Sequence, residues 1–271
     1  MGPFALMHRG IDGLRGLPGV WQLRRAAFDR QFTIDRRAHL FRGIFDSFEA
    51  ALASAPATLP IGYDNATSAN MYLHRLQIDE YDHPAMFWLL NSFAQGMHRI
   101  ADVGGSVGIK YFAFGKFMGF PDNLVWRVID VPAVVARGRE FAVSKGARVA
   151  LEFSEDVADA SGMDVLYASG SLQYLPQTLP EMLSGFSAKP RRIVVNTTPI
   201  HPERSYITLN SIGTAYCPYR VQGRDAFVAG VQAQGYQLRD EWRNLGQALV
   251  LPFESGCNVD HYSGFCFDAK P

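Results

Sequence analysis

From residue 99 onward, short apolar runs alternate with stretches in which apolar residues recur every three or four positions. The first run, Ile100, Ala101 and Val103 around a single acid, Asp102, breaks into Gly104-Gly105-Ser106-Val107-Gly108. An apolar stretch with helical spacing resumes at once and predicts a helix over 106–118. The same rhythm predicts strands over 124–129, 148–153, 164–168 and 192–196, and helices over 132–145 and 178–186. A long irregular stretch is expected over 197–222, then a helix over 224–234 closed by Gly235. Two strands end the chain, at 236–243 and 262–267, with no helix between them. Alternation of strand and helix predicts a parallel sheet covered on both faces, and the last pair predicts an antiparallel finish.

The first hundred residues read differently. Residues 1–32 are rich in Gly and Arg and read as a loosely ordered approach. Between 33 and 53, Phe41, Ile44, Phe45, Phe48 and Leu52 follow helical spacing, which predicts an amphipathic helix ended by Pro56 and Pro60. A second helix is expected over 65–77, capped by Asp64 or Asn65, and a third over 85–98 behind His83-Pro84. This part therefore reads as all-helical.

Strand, glycine turn, helix is how an open α/β sheet presents backbone N–H groups to a ligand at its carboxyl edge. A dinucleotide fingerprint needs glycine at the first, third and sixth positions. From Gly104 those positions hold Ser106 and Ile109, and from Gly105 they hold Val107 and Lys110, so both registers fail. Asp130 lies 22 residues past Gly108, at the end of the next strand. A carboxylate there suits the vicinal hydroxyls of a ribose, in NAD or in S-adenosylmethionine (SAM) alike.

Asp102-x-Gly104-Gly105-x-x-Gly108 resembles the first motif of class I SAM-dependent methyltransferases. The stretch Val128-Ile129-Asp130-Val131-Pro132 resembles the Asp-Leu-Pro segment of small-molecule O-methyltransferases, and Asp164 to Leu175 the fourth methyltransferase motif. The motifs fall in the family's order over about residues 99–268. The resemblance implies a SAM site built from Asp102, Gly104, Gly105, Ser106, Gly108, Tyr111, Asp130 and Val131. It adds Ser169 and Gly170 beside the methionine end, and Phe153 or Glu155 beside the adenine. In that family the glycines admit the cofactor. The details Ser169-Gly170-Ser171-Leu172-Gln173-Tyr174-Leu175 and Asp240-Glu241-Trp242, with Tyr81 and Pro84 before the core, are similar to a less-studied family of bacterial methyltransferases associated with surface-polysaccharide synthesis.

Composition narrows the rest. Hydrophobic content of 48% and charged content of 19% describe a globular chain. Lys plus Arg equals Asp plus Glu, 26 each, so there is no global electrostatic case for nucleic acid. Residues 1–42 carry eight Arg and three Asp, read as a solvated face ahead of an anionic acceptor or membrane surface. Three cysteines, Cys217, Cys257 and Cys266, form no closed disulfide set and match no metal spacing; reduced thiols in a cytoplasmic protein are expected, and no metal. No signal peptide or run of transmembrane length is apparent.

An oxygen acceptor usually needs a base. Small-molecule O-methyltransferases place a histidine on the chain after the fifth strand, and His201 in Pro199-Ile200-His201-Pro202 occupies that place, with His261 and His74 behind it. The surrounding motif of those enzymes is not reproduced. Tyr72, Tyr81, Tyr174, Tyr216 and Tyr219 are candidate walls for the acceptor. The expected fold is α/β: a Rossmann-like class I methyltransferase fold, a seven-stranded mostly parallel sheet with an antiparallel last strand, over residues 99–271. Residues 1–98 are expected as an N-terminal helical cap. The expected activity is O-methylation of a small molecule or sugar by SAM, giving S-adenosylhomocysteine. The alternatives are a SAM- or nucleoside-binding protein without transfer, and a nicotinamide-dependent oxidoreductase.

Overall fold

A computed structural model describes residues 18–36, 38–71, 73, 76–147 and 150–271. Tyr72 and His74 lie outside the described residues. The core strands are β2 (Arg99–Val103), β3 (Val125–Ile129), β4 (Leu151–Ser154), β5 (Val165–Ser169), β6 (Arg192–His201), β9 (Tyr236–Asn244) and β10 (Tyr262–Ala269). β1 (Ala38–Phe45), β7 (Tyr206–Ile212) and β8 (Tyr216–Gly223) complete the sheet.

β4, β3, β2, β5 and β6 lie side by side and parallel. β10 inserts antiparallel between β6 and β9. The spatial order β4-β3-β2-β5-β6-β10-β9 is the mostly parallel class I methyltransferase arrangement with its antiparallel last strand. The plain dinucleotide fold has no such strand.

Alternation along the strands divides the core. Ala101, Val103, Leu166, Ala168, Ile193 and Val195 face one side, under α7 (Leu179–Ser184) and α8 (Arg224–Ala233). Ile100, Trp126, Val128, Val165, Tyr167 and Val194 face the other, under α4 (His83–Ala94) and α5 (Ile109–Phe114). α6 (Pro132–Ser144) starts with proline in its first turn and packs on β4, where a Cβ on Gly138 would lie 2.3 Å from the Phe153 ring.

Before the core, the chain differs from its helical reading. α1 (Pro18–Ile34) occupies much of the stretch read as loosely ordered. The helix expected over 33–53 is the end of α1, then strand β1, then the short α2 (Phe48–Ala53). β1 pairs with β7 through register shifts between Ala38 and Leu40 and between Arg42 and Phe45. Each shift inserts residues into a period of two, so the apolar positions acquire the spacing of a helix. His39 and Gly43 take positive φ there, and Phe41 packs edge-on against Tyr219. The expected second helix shortens to α3 (Ala66–Asn70), capped by the Asn65 side chain, which accepts from Ser68 N at 2.9 Å.

The stretch expected to be irregular over 197–222 is strand. β6 runs on to His201, and β7 and β8 form an antiparallel hairpin beside it. β8 then pairs in parallel with the end of β6 at Ile200 and His201. Thr208, Asn210 and Ser211 point polar side chains into this packing, so no apolar alternation marks β7.

Candidate cofactor and acceptor site

The glycine turn sits at the carboxyl edge of the sheet, where the order of strands reverses around β2. Gly104 and Gly108 take φ +72° and +83°, and Ser106 takes φ +56°. Gly104 N donates to Ile129 O at 2.7 Å, and Gly108 heads α5. A Cβ on Gly104 would lie 2.2 Å from Ser171 Cβ, and one on Gly105 2.4 Å from Asp102 Oδ2. The volume vacated at these two glycines is therefore filled by protein, which corrects the expectation that they open space for a ligand. They let β2, β5 and the buried acid close on one another.

Asp102 is buried under this turn, and its Oδ2 accepts from Trp126 Nε1 at 3.0 Å. Burial raises its carboxyl to about 7, against the Trp126 hydrogen bond, which lowers it. Asp130 ends β3 half-buried. Its Oδ2 accepts from Ser106 N at 2.9 Å and its Oδ1 from Val131 N at 2.8 Å. Burial raises this carboxyl to about 6, while the two backbone donors pull the other way. Each oxygen has taken one donor, and a carboxylate has about four acceptor positions, so both retain capacity for a diol.

Across the turn, Ser169 ends β5, and Gly170 takes φ +70° with nothing nearer its missing Cβ than Thr197 Cγ2 at 3.9 Å. Bare backbone with open space above it accommodates a ligand at close approach. Thr197 itself holds φ +56°, an uncommon conformation for a β-branched residue, where the β6–β10 register shifts. Asp130, Ser106, Ser169 and Gly170 all lie at or just past the carboxyl ends of the parallel strands β3, β2 and β5.

Other candidates fall elsewhere. Tyr111 is buried among Phe112, Phe120 and Trp126 and packs the core instead of that edge. The Phe153 ring lies against Gly138 of α6, and Glu155 is exposed beyond β4. Tyr216 is fully buried, stacked on Phe32, its hydroxyl donating to Phe32 O at 3.1 Å. Tyr219 is buried too, its hydroxyl 2.7 Å from that of Tyr262. Neither is an open wall, because β7 and β8 turned their segment into sheet. Tyr174 is half-buried, edge-on to Tyr63 and to Tyr219 at 4.9 Å each. Tyr81 lies half-buried against Gly246.

His201 is corrected as a base. Its Nδ1 accepts from Glu203 N at 3.0 Å and Arg204 N at 3.2 Å, and its Nε2 lies 3.0 Å from Gly256 O. This pattern assigns the proton to Nε2, which donates to the carbonyl, and leaves neither nitrogen free to take a proton from a substrate. The ring fastens the loop after β6 to the loop before β10. His261 is half-buried just ahead of β10.

Residues that were not singled out complete the surroundings. Lys110, in the first turn of α5, reaches both oxygens of buried Asp82 at 2.7 Å. Asn196 Nδ2 donates to the same acid at 3.2 Å, and Trp242 Nε1 donates to Asn196 at 3.0 Å. Asp82 closes a capping box with Asp79 ahead of α4, a spacing visible in the sequence. From the segment before it, Asp64 accepts from Ala133 N at 2.9 Å and Asn70 from Arg137 at 2.9 Å, which holds residues 64–70 over the start of α6. Among the described residues no helix is long and apolar enough to cross a membrane, and no group of three or more metal-ligating side chains occurs.

No family model matches the chain, and no curated protein matches it. Solved structures resemble it at low sequence identity. The 1,6-didemethyltoxoflavin-N1-methyltransferase of Burkholderia thailandensis, with 1,6-didemethyltoxoflavin and S-adenosylhomocysteine bound, is 16% identical with TM-score 0.46, over 71% of this chain and 79% of that one. The magnesium protoporphyrin IX methyltransferase of Synechocystis PCC 6803 with SAM bound is 11% identical with TM-score 0.46, over 73% and 80%. An O-methyltransferase of neocarzinostatin biosynthesis, in complex with S-adenosylhomocysteine and 1,4-dihydroxy-2-naphthoic acid, is 14% identical with TM-score 0.49, over 83% and 62%.

Proposed function

We propose that this chain is a SAM-dependent methyltransferase, and that it O-methylates a small molecule or a sugar. The observation that supports this most is the Asp130 carboxylate, held by Ser106 N and Val131 N at the carboxyl edge of a sheet with an antiparallel β10. Asp130 accepts the ribose hydroxyls, Asp102 anchors the turn from below through Trp126, and Ser169 and Gly170 line the chain that carries the methyl group. SAM, when bound there, supplies an activated methyl group and leaves as S-adenosylhomocysteine. Tyr63, Tyr81 and Tyr174 offer aromatic faces to the acceptor, and the described residues ahead of β2 contribute the covering side of its pocket. The work of the protein is alignment and exclusion of water, which is worth many orders of magnitude in effective concentration. The similarity to polysaccharide-associated methyltransferases favours a sugar, and the free cysteines favour a cytoplasmic setting.

A second reading, binding of SAM without transfer, draws support from His201, whose two nitrogens are both engaged. Incubation with tritium-methyl SAM and a panel of phenols and nucleotide sugars separates the two. Label in an acceptor supports the enzyme. Tight S-adenosylhomocysteine binding with no label in any acceptor supports the binding protein.

A further inference from the structure

Arg220 and Gln222 alternate with buried Tyr219 and Val221 along β8, so both half-buried side chains share its other face. Ile207 of β7 stands opposite Arg220, and Phe45 of β1 stands opposite Ile207. Opposed residues share a face, so the three strands lay a row Phe45–Ile207–Arg220 across the sheet. Beside this row opens a cavity of about 400 Å³, a volume in the range of small-molecule sites. None of the cofactor candidates lines it.

The Arg220 guanidinium lies 4.7 Å over the Phe48 ring and donates to Leu175 O at 3.0 Å and Pro176 O at 2.6 Å. Its remaining N–H groups have no acceptor, and it makes no ion pair, among the described residues. The acid whose charge acts on it, Glu181, is engaged by Thr178, whose N and Oγ1 both donate to it at 2.7 Å. Burial lowers the pKa of the guanidinium, against the attraction of Glu181. A cation that has lost part of its water and found no counter-ion pairs strongly with an arriving anion. Two further donors line the same cavity. Ser205 Oγ accepts from Gly223 N at 2.8 Å, which leaves its O–H to donate, and the Gln222 amide has no hydrogen-bond partner among the described residues. Asp46, exposed, lines the cavity too. Its carboxylate repels an anion and accepts hydroxyls, so it favours a ligand with its charge at one end and hydroxyls at the other.

We propose that this cavity is a second binding site, which takes a small hydroxylated anion and holds its phosphate or carboxylate group on Arg220, Gln222 and Ser205. Either group offers a guanidinium two oxygens, and a planar guanidinium meets both at once, which a lysine ammonium does not reproduce. Phe45 and Ile207 give the carbon skeleton an apolar floor. The site stands apart from the proposed cofactor site and does not depend on it.

The test titrates glycerol 3-phosphate and glycerate separately into the full chain, with glycerol as the uncharged control, and follows backbone amide signals in nitrogen-15 spectra. At least one of the two anions is expected to shift the signals of Ser205, Ile207 and Gln222 saturably at millimolar concentration, and glycerol to leave them in place. A response to glycerol 3-phosphate alone assigns a phosphate ligand, and a response to glycerate alone a carboxylate. Arg220→Gln is expected to weaken that binding about tenfold or more, from the loss of charge-assisted hydrogen bonds, and Arg220→Lys to weaken it less. Ile44→Trp, which narrows the cavity at an exposed position and leaves the cation in place, is expected to weaken it as well. The same Ile44→Trp protein is expected to keep S-adenosylhomocysteine affinity within about twofold of wild type. No saturable shift with either anion, an equal shift with glycerol, or binding undiminished in folded Arg220→Lys and Ile44→Trp overturns the inference. The cofactor reading stands or falls on its own titration with S-adenosylhomocysteine.

Discussion

The backbone N–H of Ser106 donates to Asp130 Oδ2 across 2.9 Å, tying the glycine turn after β2 to the end of β3. One contact thus orders a turn that would otherwise be held mainly by its glycines, and it fixes the direction in which the acid points. Ser106 holds a positive φ to make it.

Asp130→Ala removes the acceptor for both Ser106 N and Val131 N. Affinity for S-adenosylhomocysteine is expected to fall by about 1–3 kcal/mol, the usual cost of losing a hydrogen bond to a charged group. Calorimetric titration of the folded variant measures it, and an unchanged dissociation constant would place the ribose elsewhere.

Gly104 and Ser171 make a separate prediction about stability. Gly104→Ala drives a methyl group to 2.2 Å from Ser171 Cβ at φ +72°, and the melting temperature should drop. Ser171→Gly in the same chain removes the clash but not the backbone strain of roughly 1 kcal/mol, so the double variant should recover only part of the loss. No recovery would show that the contact is not what makes Gly104 necessary.

His201→Ala leaves the N–H groups of Glu203 and Arg204 and the carbonyl of Gly256 without a partner. A loss of about 0.5–1.5 kcal/mol in unfolding free energy is expected, the usual net worth of an intramolecular hydrogen bond, because Glu203, Arg204 and Gly256 are exposed and water can take up their backbone groups. Affinity for S-adenosylhomocysteine should stay unchanged. If a substrate is found and the variant is as stable as wild type but loses turnover with a shifted pH profile, His201 is a base after all.

The buried acids give a pH signature. In the native state the Asp102 carboxyl is raised to about 7 and Asp130 to about 6, above their ordinary 3.8. The folded protein therefore binds more protons than the unfolded chain between these limits, and the contribution of each acid falls as pH rises. Stability from this source is greatest below about pH 4 and is lost on the way to pH 6 for Asp130 and pH 7 for Asp102. Asp102→Asn abolishes that loss, so its melting temperature should gain on wild type from pH 4 to pH 7 and then level off. A difference independent of pH would show that Asp102 does not titrate in this range.

The core was legible because its strands are short apolar runs with turn signals at each end, and because glycines mark β2's exit. Asp130 was legible as the acid at a strand end. The additions to the core were not. β1 carries bulges that mimic helical spacing, and β7 buries Thr208, Asn210 and Ser211, whose polarity reads as loop. Misreading β8 in turn made Tyr216 and Tyr219 look available, although strand pairing buries both. His201 stands where a base would be expected by chain position, yet only the fold shows its nitrogens engaged. Lys110 and Asp82 are 28 residues apart and carry no local signal that they meet.

The most direct test of the central claim is calorimetric titration of the purified protein with S-adenosylhomocysteine, with NADH as the control. Micromolar binding of S-adenosylhomocysteine, weakened in Asp130→Ala, and no binding of NADH is the expected result. NADH binding that S-adenosylhomocysteine cannot displace, or no binding of S-adenosylhomocysteine to the folded protein, would contradict it.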